Sequence, residues 1–237
     1  MERYSILNEK NPREIILLRG SGCKWKRCTF CDYHLDYCDN EEENFRLNKK
    51  VLDKVTGIYG KLEVINSGSF CDLDERTMNL IIDTCKGKNI SLVHFECHWM
   101  HRRAVPILKN RFEKEGIAVK IKSGVETFDI EFREKNMKKG FGNATPQQIR
   151  EYADEVCLLF GIDGQTEDSM NNDINTGLEY FNRVCVNIMT PNSTSVKPNK
   201  ENISIFINKI APKFINNERV DILFENTDFG VGTINVD

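Results

Sequence analysis

The sequence has no long apolar run; its longest, such as Ile15–Leu18 and Val156–Ile162, fall far short of the ~18 residues a membrane helix needs. No spanning helix is expected. It also lacks a basic segment followed by an apolar run behind Met1, so no secretory signal is read and the cytoplasm is the expected compartment. Nor does one sign of charge prevail. Thirty-three Lys and Arg stand against thirty-six Asp and Glu, a net charge of −3, which removes any global basic field for nucleic acid or an anionic membrane. No Ser/Gly-rich linker or low-complexity tract divides the chain, and the short acidic run Asp39–Glu43 reads as a solvated loop. One domain over residues 1–237 is expected.

What is present is an ordinary globular composition, 40% hydrophobic and 29% charged, over a repeating pattern of elements. Short β-branched apolar runs at Glu14–Arg19, Leu62–Asn66, Ser91–Glu96, Ala118–Gly124, Val156–Ile162 and Val184–Thr190 predict six strands. Between them Leu47–Tyr59, Asp74–Lys86, Arg102–Glu115, Asp129–Tyr152 with a break near Gly140–Gly142, and Thr166–Phe181 carry helical period. Glu201–Ile210 adds a sixth helix. Such alternation implies right-handed βαβ crossovers and a parallel sheet covered by helices, so the class is α/β. Periodicity leaves open whether the six units form a partial TIM-type barrel or a flat doubly wound sheet. In both, chemistry belongs at the carboxyl ends of the strands. The tail from about residue 213, with its apolar run Val220–Phe224, reads as a short C-terminal extension capping the sheet.

Nine cysteines in a reducing compartment point to metal ligation rather than disulfides. Three of them, Cys23, Cys28 and Cys31, lie within the loop of residues 20–34 directly after the first strand, spaced Cys-x4-Cys-x2-Cys. Thiolates this close can converge on one centre, and soft sulfur ligands select zinc or an iron–sulfur cluster. Zinc would need a fourth ligand, His34 or Cys38, and that reading stays open on spacing alone. A cubane held by three cysteines instead leaves one iron open to an exchangeable ligand. Cys85, Cys157 and Cys185 sit within helix or strand patterns and read as core.

On this loop, with Phe30 directly before Cys31, the sequence resembles the radical S-adenosylmethionine superfamily. One residue more than the family's usual x3 separates the first two cysteines. The resemblance implies a six- or eight-unit βα barrel, a 4Fe–4S cluster on Cys23, Cys28 and Cys31 with Phe30 beside it, and S-adenosylmethionine (SAM) as cofactor. It implies further that the backbone of Ser67, Gly68 and Ser69 receives the SAM amino group, although glycine there equally suits a tight turn. Ser123 and Glu126, in a Ser-Gly-Val-Glu element after the fourth strand, would reach the ribose or methionine part. Asn187, Met189 and Thr190 end the sixth strand, where relatives contact adenine. The stretch from Gly161 to Thr166 is similar to a Gly-Leu-Pro-Gly-Gln-Thr turn with Asp163 replacing proline, and Thr166 with Glu167 and Asp168 also reads as a helix N-terminus.

The third strand closes on His94-Phe-Glu-Cys-His-Trp-Met-His101. Glu96 and His98 could hydrogen-bond a polar heterocycle, and Cys97 could donate a hydrogen atom, making Cys97 and His98 the catalytic candidates. A satisfied histidine and a buried cysteine at a strand end fit these residues equally. A second metal on His98 and His101 lacks a surrounding site motif. The cysteine loop and the stretch Phe95–Trp99 together resemble the queuine lyases of clostridial type. That resemblance implies a small 7-deazaguanine base as substrate and a reductant such as flavodoxin or ferredoxin. Electron transfer to the cluster would cleave SAM, and the resulting radical would abstract a hydrogen; carbon–nitrogen cleavage would then leave 7-aminomethyl-7-deazaguanine. Carboxylates at Glu96, Glu225 and Asp228 would accept from the base's N–H groups. A glycyl-radical activating enzyme and a non-catalytic zinc module are the competing readings.

Overall fold

The computed structural model describes residues 2–224, so Glu225 and Asp228 lie outside the described residues. The strands are β1 (Tyr4–Leu7), β2 (Arg13–Leu18), β3 (Lys61–Asn66), β4 (Leu92–Glu96), β5 (Ala118–Glu126), β6 (Glu155–Phe160), β7 (Arg183–Ile188) and β8 (Val220–Leu223). The α-helices are α1 (Glu41–Leu52), α2 (Glu75–Gly87), α3 (Val105–Glu113), α4 (Pro146–Arg150), α5 (Glu167–Tyr180), α6 (Lys200–Ile205) and α7 (Ala211–Phe214). Strand order follows chain order from β1 to β8. No reversal of order occurs, so the switch point that defines a doubly wound sheet is missing among the described strands. The class is α/β with a mostly parallel sheet, and only β1 runs antiparallel, with Tyr4 opposite Ile16 and Leu7 opposite Arg13.

The chain divides into two compact units, one of Met1–Lys26 with Tyr33–Lys122 and one of Arg27–Asp32 with Ser123–Asp237. In the first, Ile16 faces Val64, Val64 faces Phe95 and Phe95 faces Ile121 across successive parallel strands. These residues are buried with Leu62, Ile81 and Phe112, and Phe95 meets Phe112 edge to face at 5.3 Å. Apolar packing of this kind is the main stabilising term of such a sheet. A cluster of charges is buried within it. Glu63 accepts from Arg13 Nε and Lys122 Nζ. Burial pushes its carboxyl upward, but Lys122 and Arg13 outweigh burial and hold it far below the ordinary carboxylate range. In the second unit Leu158 faces Val186 and Val186 faces Ile222, while Phe160 meets Phe206 edge to face at 5.2 Å.

Several expectations need correction. Two strands flank the six expected ones: β1, whose four residues carry no clear alternation, and β8, formed by the run Val220–Leu223 expected as a cap and paired in parallel with β7. The acidic run read as a solvated loop leads into α1, whose first turn holds Glu41–Glu43 and whose cap is Asn40, with Asn40 Oδ1 accepting from the backbone of Glu42 and Glu43 at 3.1 and 3.2 Å. Glu41, Glu42 and Glu43 complement the helix dipole there, so α1 starts and ends earlier than Leu47–Tyr59. The helical stretch expected over Asp129–Tyr152 does break around Gly140–Gly142, but its two pieces are shorter than expected, a π-helical turn, Phe132–Asn136, and the short α4. Among the described residues no helix is long and apolar enough to cross a membrane.

Candidate active site

Within the first unit, the segment after β3 is built around glycine and aspartate. A Cβ on Gly68 would lie 3.0 Å from the Cys23 Cα and 2.3 Å from Asp72 Oδ2, so only glycine lets the start of the cysteine loop come this close. Gly20 is under the same constraint, its Cβ falling 2.2 Å from the Asp72 carbonyl oxygen, which accepts from Ser21 N at 2.9 Å. Asp72 Oδ2 accepts from Ser69 N at 2.8 Å, and Ser69 Oγ accepts from His98 N at 2.9 Å. Ser67 Oγ donates to Asp36 Oδ2 at 3.2 Å. Two buried acceptors at this turn, Asn66 Oδ1 and Asp72 Oδ1, have no hydrogen-bond partner. Burial lifts the Asp72 carboxyl above its ordinary value against the opposing Ser69 N–H. A pair of such acceptors suits a donor with several N–H bonds, as an ammonium has.

At the end of β4, His98 stacks on Trp25 with ring centroids 5.6 Å apart, and its Nδ1 accepts from Met100 N at 3.2 Å. Cys97 is buried, its Sγ donating to the His98 carbonyl at 3.4 Å. Burial, with Cys71 and Asp72 adding to it, pushes the thiol well above its ordinary range, so it keeps its hydrogen at neutral pH. Glu96 is half-buried and stands opposite Lys122 in the β4–β5 register.

The second unit holds the rest of the loop. Phe30 is buried in a cluster with Met137, Leu159, Ile162 and Met189, against which Cys28 and Cys31 pack. Cys31 N donates to Cys28 O at 3.4 Å, placing the two cysteines on one turn. Thr29 fastens that turn to the π-helical segment through Thr29 N to Met137 O at 3.1 Å and Thr29 Oγ1 to Asn136 O at 2.7 Å. Asn192 Nδ2 donates to Phe30 O at 2.7 Å, and Asp32 accepts from Ser193 N and Oγ at 3.0 Å. Glu126, in the left-handed region at φ 68°, pairs with Lys139 at 2.7 Å; Lys139 Nζ sits 5.4 Å from the Phe30 ring centroid. Ser123 Oγ and Tyr152 Oη share a hydrogen bond of 2.6 Å. Asn187 is half-buried on β7, and Thr190 Oγ1, just past it, is buried without a partner.

The sequence singles out Cys23, Ser67, Gly68, Ser69, Glu96, Cys97 and His98 in the first unit, and Phe30, Met189, Cys28 and Cys31 meet in the second. Lys139 and Asp72 lie in no motif singled out above, and Trp25 and Gln165, within the cysteine loop and the Gly161–Thr166 turn, carry no role there. Gln165 Oε1 accepts from Gly161 N at 2.9 Å and Ile162 N at 3.1 Å while its Nε2 donates to Leu159 O at 2.7 Å, stapling the glycine turn. Among the described residues no three His, Cys, Asp or Glu side chains are already gathered as a finished ligand set. The fit to a cluster therefore rests on the donors: three half-buried thiols on one loop, two of them on a single turn.

No protein-family model matches the chain. No curated protein matches it either. Among solved structures, SuiB of Streptococcus suis is 11% identical and superposes with a TM-score of 0.55 over 87% of this chain and 48% of its own, a likeness of fold alone. The queuine lyase from Clostridium spiroforme bound to SAM and queuine is 39% identical, with a TM-score of 0.92 over 98% of this chain and 99% of that one. Identity of this order along both whole chains goes beyond fold, and the chain belongs to the queuine lyase family.

Proposed function

We propose that the protein is a radical SAM queuine lyase that binds queuine and SAM and leaves 7-aminomethyl-7-deazaguanine by carbon–nitrogen cleavage. The observation that carries this reading is the full-length likeness to a queuine lyase, joined to a loop of three thiols whose chemistry suits a 4Fe–4S cluster. Cys23, Cys28 and Cys31 would hold the cluster. When bound, the cluster and SAM supply the one-electron chemistry that opens hydrogen abstraction from substrate. The chain's own residues bind, orient and keep water away.

At the turn after β3, Asn66 Oδ1 and Asp72 Oδ1 offer two unpaired acceptors beside the Ser67–Ser69 backbone, and they would receive the SAM ammonium. Glu126 and Ser123 are fixed by Lys139 and Tyr152, and so present set positions for the methionine or ribose part. The end of β7, with Asn187, Met189 and the unpartnered Thr190 hydroxyl, would take adenine. The apolar cluster of Phe30, Met137, Leu159, Ile162 and Met189 is a dry wall beside Cys28 and Cys31, which limits quenching by stray donors. Glu96 and His98 would face the base, and Cys97, a protonated buried thiol, retains a transferable hydrogen. We read the protein as working in the cytoplasm on a free base, without nucleic acid or membrane, and reduced by a small electron-transfer protein. The near-neutral charge supports that reading.

The test is direct. Anaerobically reconstituted protein with reductant, SAM and queuine is expected to form 7-aminomethyl-7-deazaguanine together with 5′-deoxyadenosine, followed by mass spectrometry. Cluster-loaded, reduced protein that leaves queuine intact would overturn the assignment.

A further inference from the structure

Lys139 is the least expected charge near the cysteine loop. Its side chain is only 11% exposed, and its Nζ binds Glu126 Oε1 at 2.7 Å while lying 5.4 Å from the centroid of Phe30, the residue directly before Cys31. The approach is built in rather than incidental. Lys139 N donates back to Arg133 O at 3.1 Å, which fixes it just beyond the π-helical segment Phe132–Asn136, and Thr29 is tied to the end of that same segment at Asn136 O and Met137 O. Glu126 adopts a left-handed backbone that a non-glycine residue avoids, and a Cβ on Gly124 would come 2.6 Å from Glu126 Oε1 and 3.2 Å from Lys139 Nζ. Strained backbone and a required glycine thus hold one ion pair in place. Burial opposes the ammonium, yet Glu126, Cys28 and Cys31 together keep it protonated.

We propose that Lys139 and Glu126 set the reduction potential of the centre carried by Cys28 and Cys31, the ammonium favouring the reduced form and the carboxylate opposing it. This rests on the cluster reading above. Reduction adds one electron, supplied from outside by a low-potential donor, and takes a 4Fe–4S centre from 2+ to 1+ with no bond made or broken at Lys139. The added negative charge is stabilised by a cation held nearby at low solvent exposure, where screening is weak. Glu126 supplies the counter-charge that makes a buried ammonium tolerable, and it moderates the effect. The two residues are positioning groups acting through the cluster's charge.

The experiment is a redox titration of the reconstituted, SAM-free protein with dithionite, read by electron paramagnetic resonance of the reduced cluster, in the parent and in Lys139→Gln, Lys139→Arg and Glu126→Gln. At a fixed potential, the ratio of reduced to oxidised cluster is expected to fall about tenfold in Lys139→Gln and to rise about tenfold in Glu126→Gln, each a displacement of about 59 mV for a one-electron couple. Lys139→Arg is expected to stay near the parent. Shifts of the same sign, or no shift with the cluster spectrum intact, would overturn the proposal. A role in SAM binding alone would change SAM affinity and leave the SAM-free titration unmoved, which also counts against it. Parent protein that forms no 4Fe–4S spectrum would instead remove the reading on which the proposal stands.

Discussion

The two ends of the cysteine loop are held by different physics. Around Cys23 the fastening is polar and made of backbone: Gly20 and Gly68 allow close approach, and Asp72 caps the turn with its carboxylate and its carbonyl. Around Cys28 and Cys31 it is apolar, with Phe30 sunk among Met137, Leu159, Ile162 and Met189, and one ion pair at its edge. The contrast suits what each end is asked to do. Bare acceptors at the first end can bind a charged ligand group, whereas a close-packed apolar second end holds Cys28 and Cys31 rigidly.

Removing a ligand from either end should erase that difference, and this is the largest effect expected. Cys23→Ala and Cys31→Ala should each lose the cluster's visible absorbance and all product formation, with iron per chain falling well below the parent. If one of them keeps a full cluster, the loop is not a single three-thiol ligand set. Phe30→Ala should sharpen the contrast instead. Emptying so buried a site costs ~3–5 kcal/mol, readable as a lower urea midpoint of the cluster-free protein, because apolar burial and cavity both contribute. Gly68→Ala should cost ~1–3 kcal/mol from overpacking against the Cys23 Cα and Asp72, and should weaken SAM binding more than queuine binding. Equal weakening of both ligands would show that the turn supports the whole site rather than the SAM part.

The same contrast explains what could be read from the sequence. Contiguous apolar runs such as Val156–Phe160 announce themselves, because a parallel strand covered on both faces needs apolar residues throughout. Cys-x4-Cys-x2-Cys is equally legible, since its chemistry lies in near-neighbour spacing. By contrast β1 has four residues and no clear alternation, and its pairing with β2 is decided by tertiary contact. Asp39–Glu43 misled because acidic residues serve solvated loops and helix first turns alike; the deciding atom is Asn40 Oδ1. Asp72 and Lys139 were invisible for a further reason. Lys139 belongs to no local pattern, and the Ser69-x-x-Asp72 capping pattern says nothing of the loop; each matters there only because the fold brings it to one end.

The smallest effect expected is also the one that best isolates the Cys23 end. Burial raises the Asp72 carboxyl above its ordinary value of 3.8, outweighing the Ser69 N–H and the positive charges of His101, Lys24 and Lys26. A carboxyl whose folded-state pKa is raised binds its proton more tightly when folded. Its contribution to stability is then fullest below the unfolded pKa and is lost as pH rises through the raised folded value. Asp72→Asn keeps an acceptor for Ser69 N but cannot ionise, so it should flatten that part of the pH profile and differ from the parent by about 1 kcal/mol. The comparison is made by urea unfolding of cluster-free protein across the window that opens near pH 4. An ammonium bound against Asp72 should reverse the preference, because a cation at 3 Å or so favours the carboxylate. SAM binding should therefore lower the Asp72 pKa and strengthen as pH rises through that group's titration in the parent, and lose this dependence in Asp72→Asn. A pH dependence that survives the substitution would place the SAM amino group away from the Asp72 carboxylate and leave Gly68 as a purely steric element of the loop.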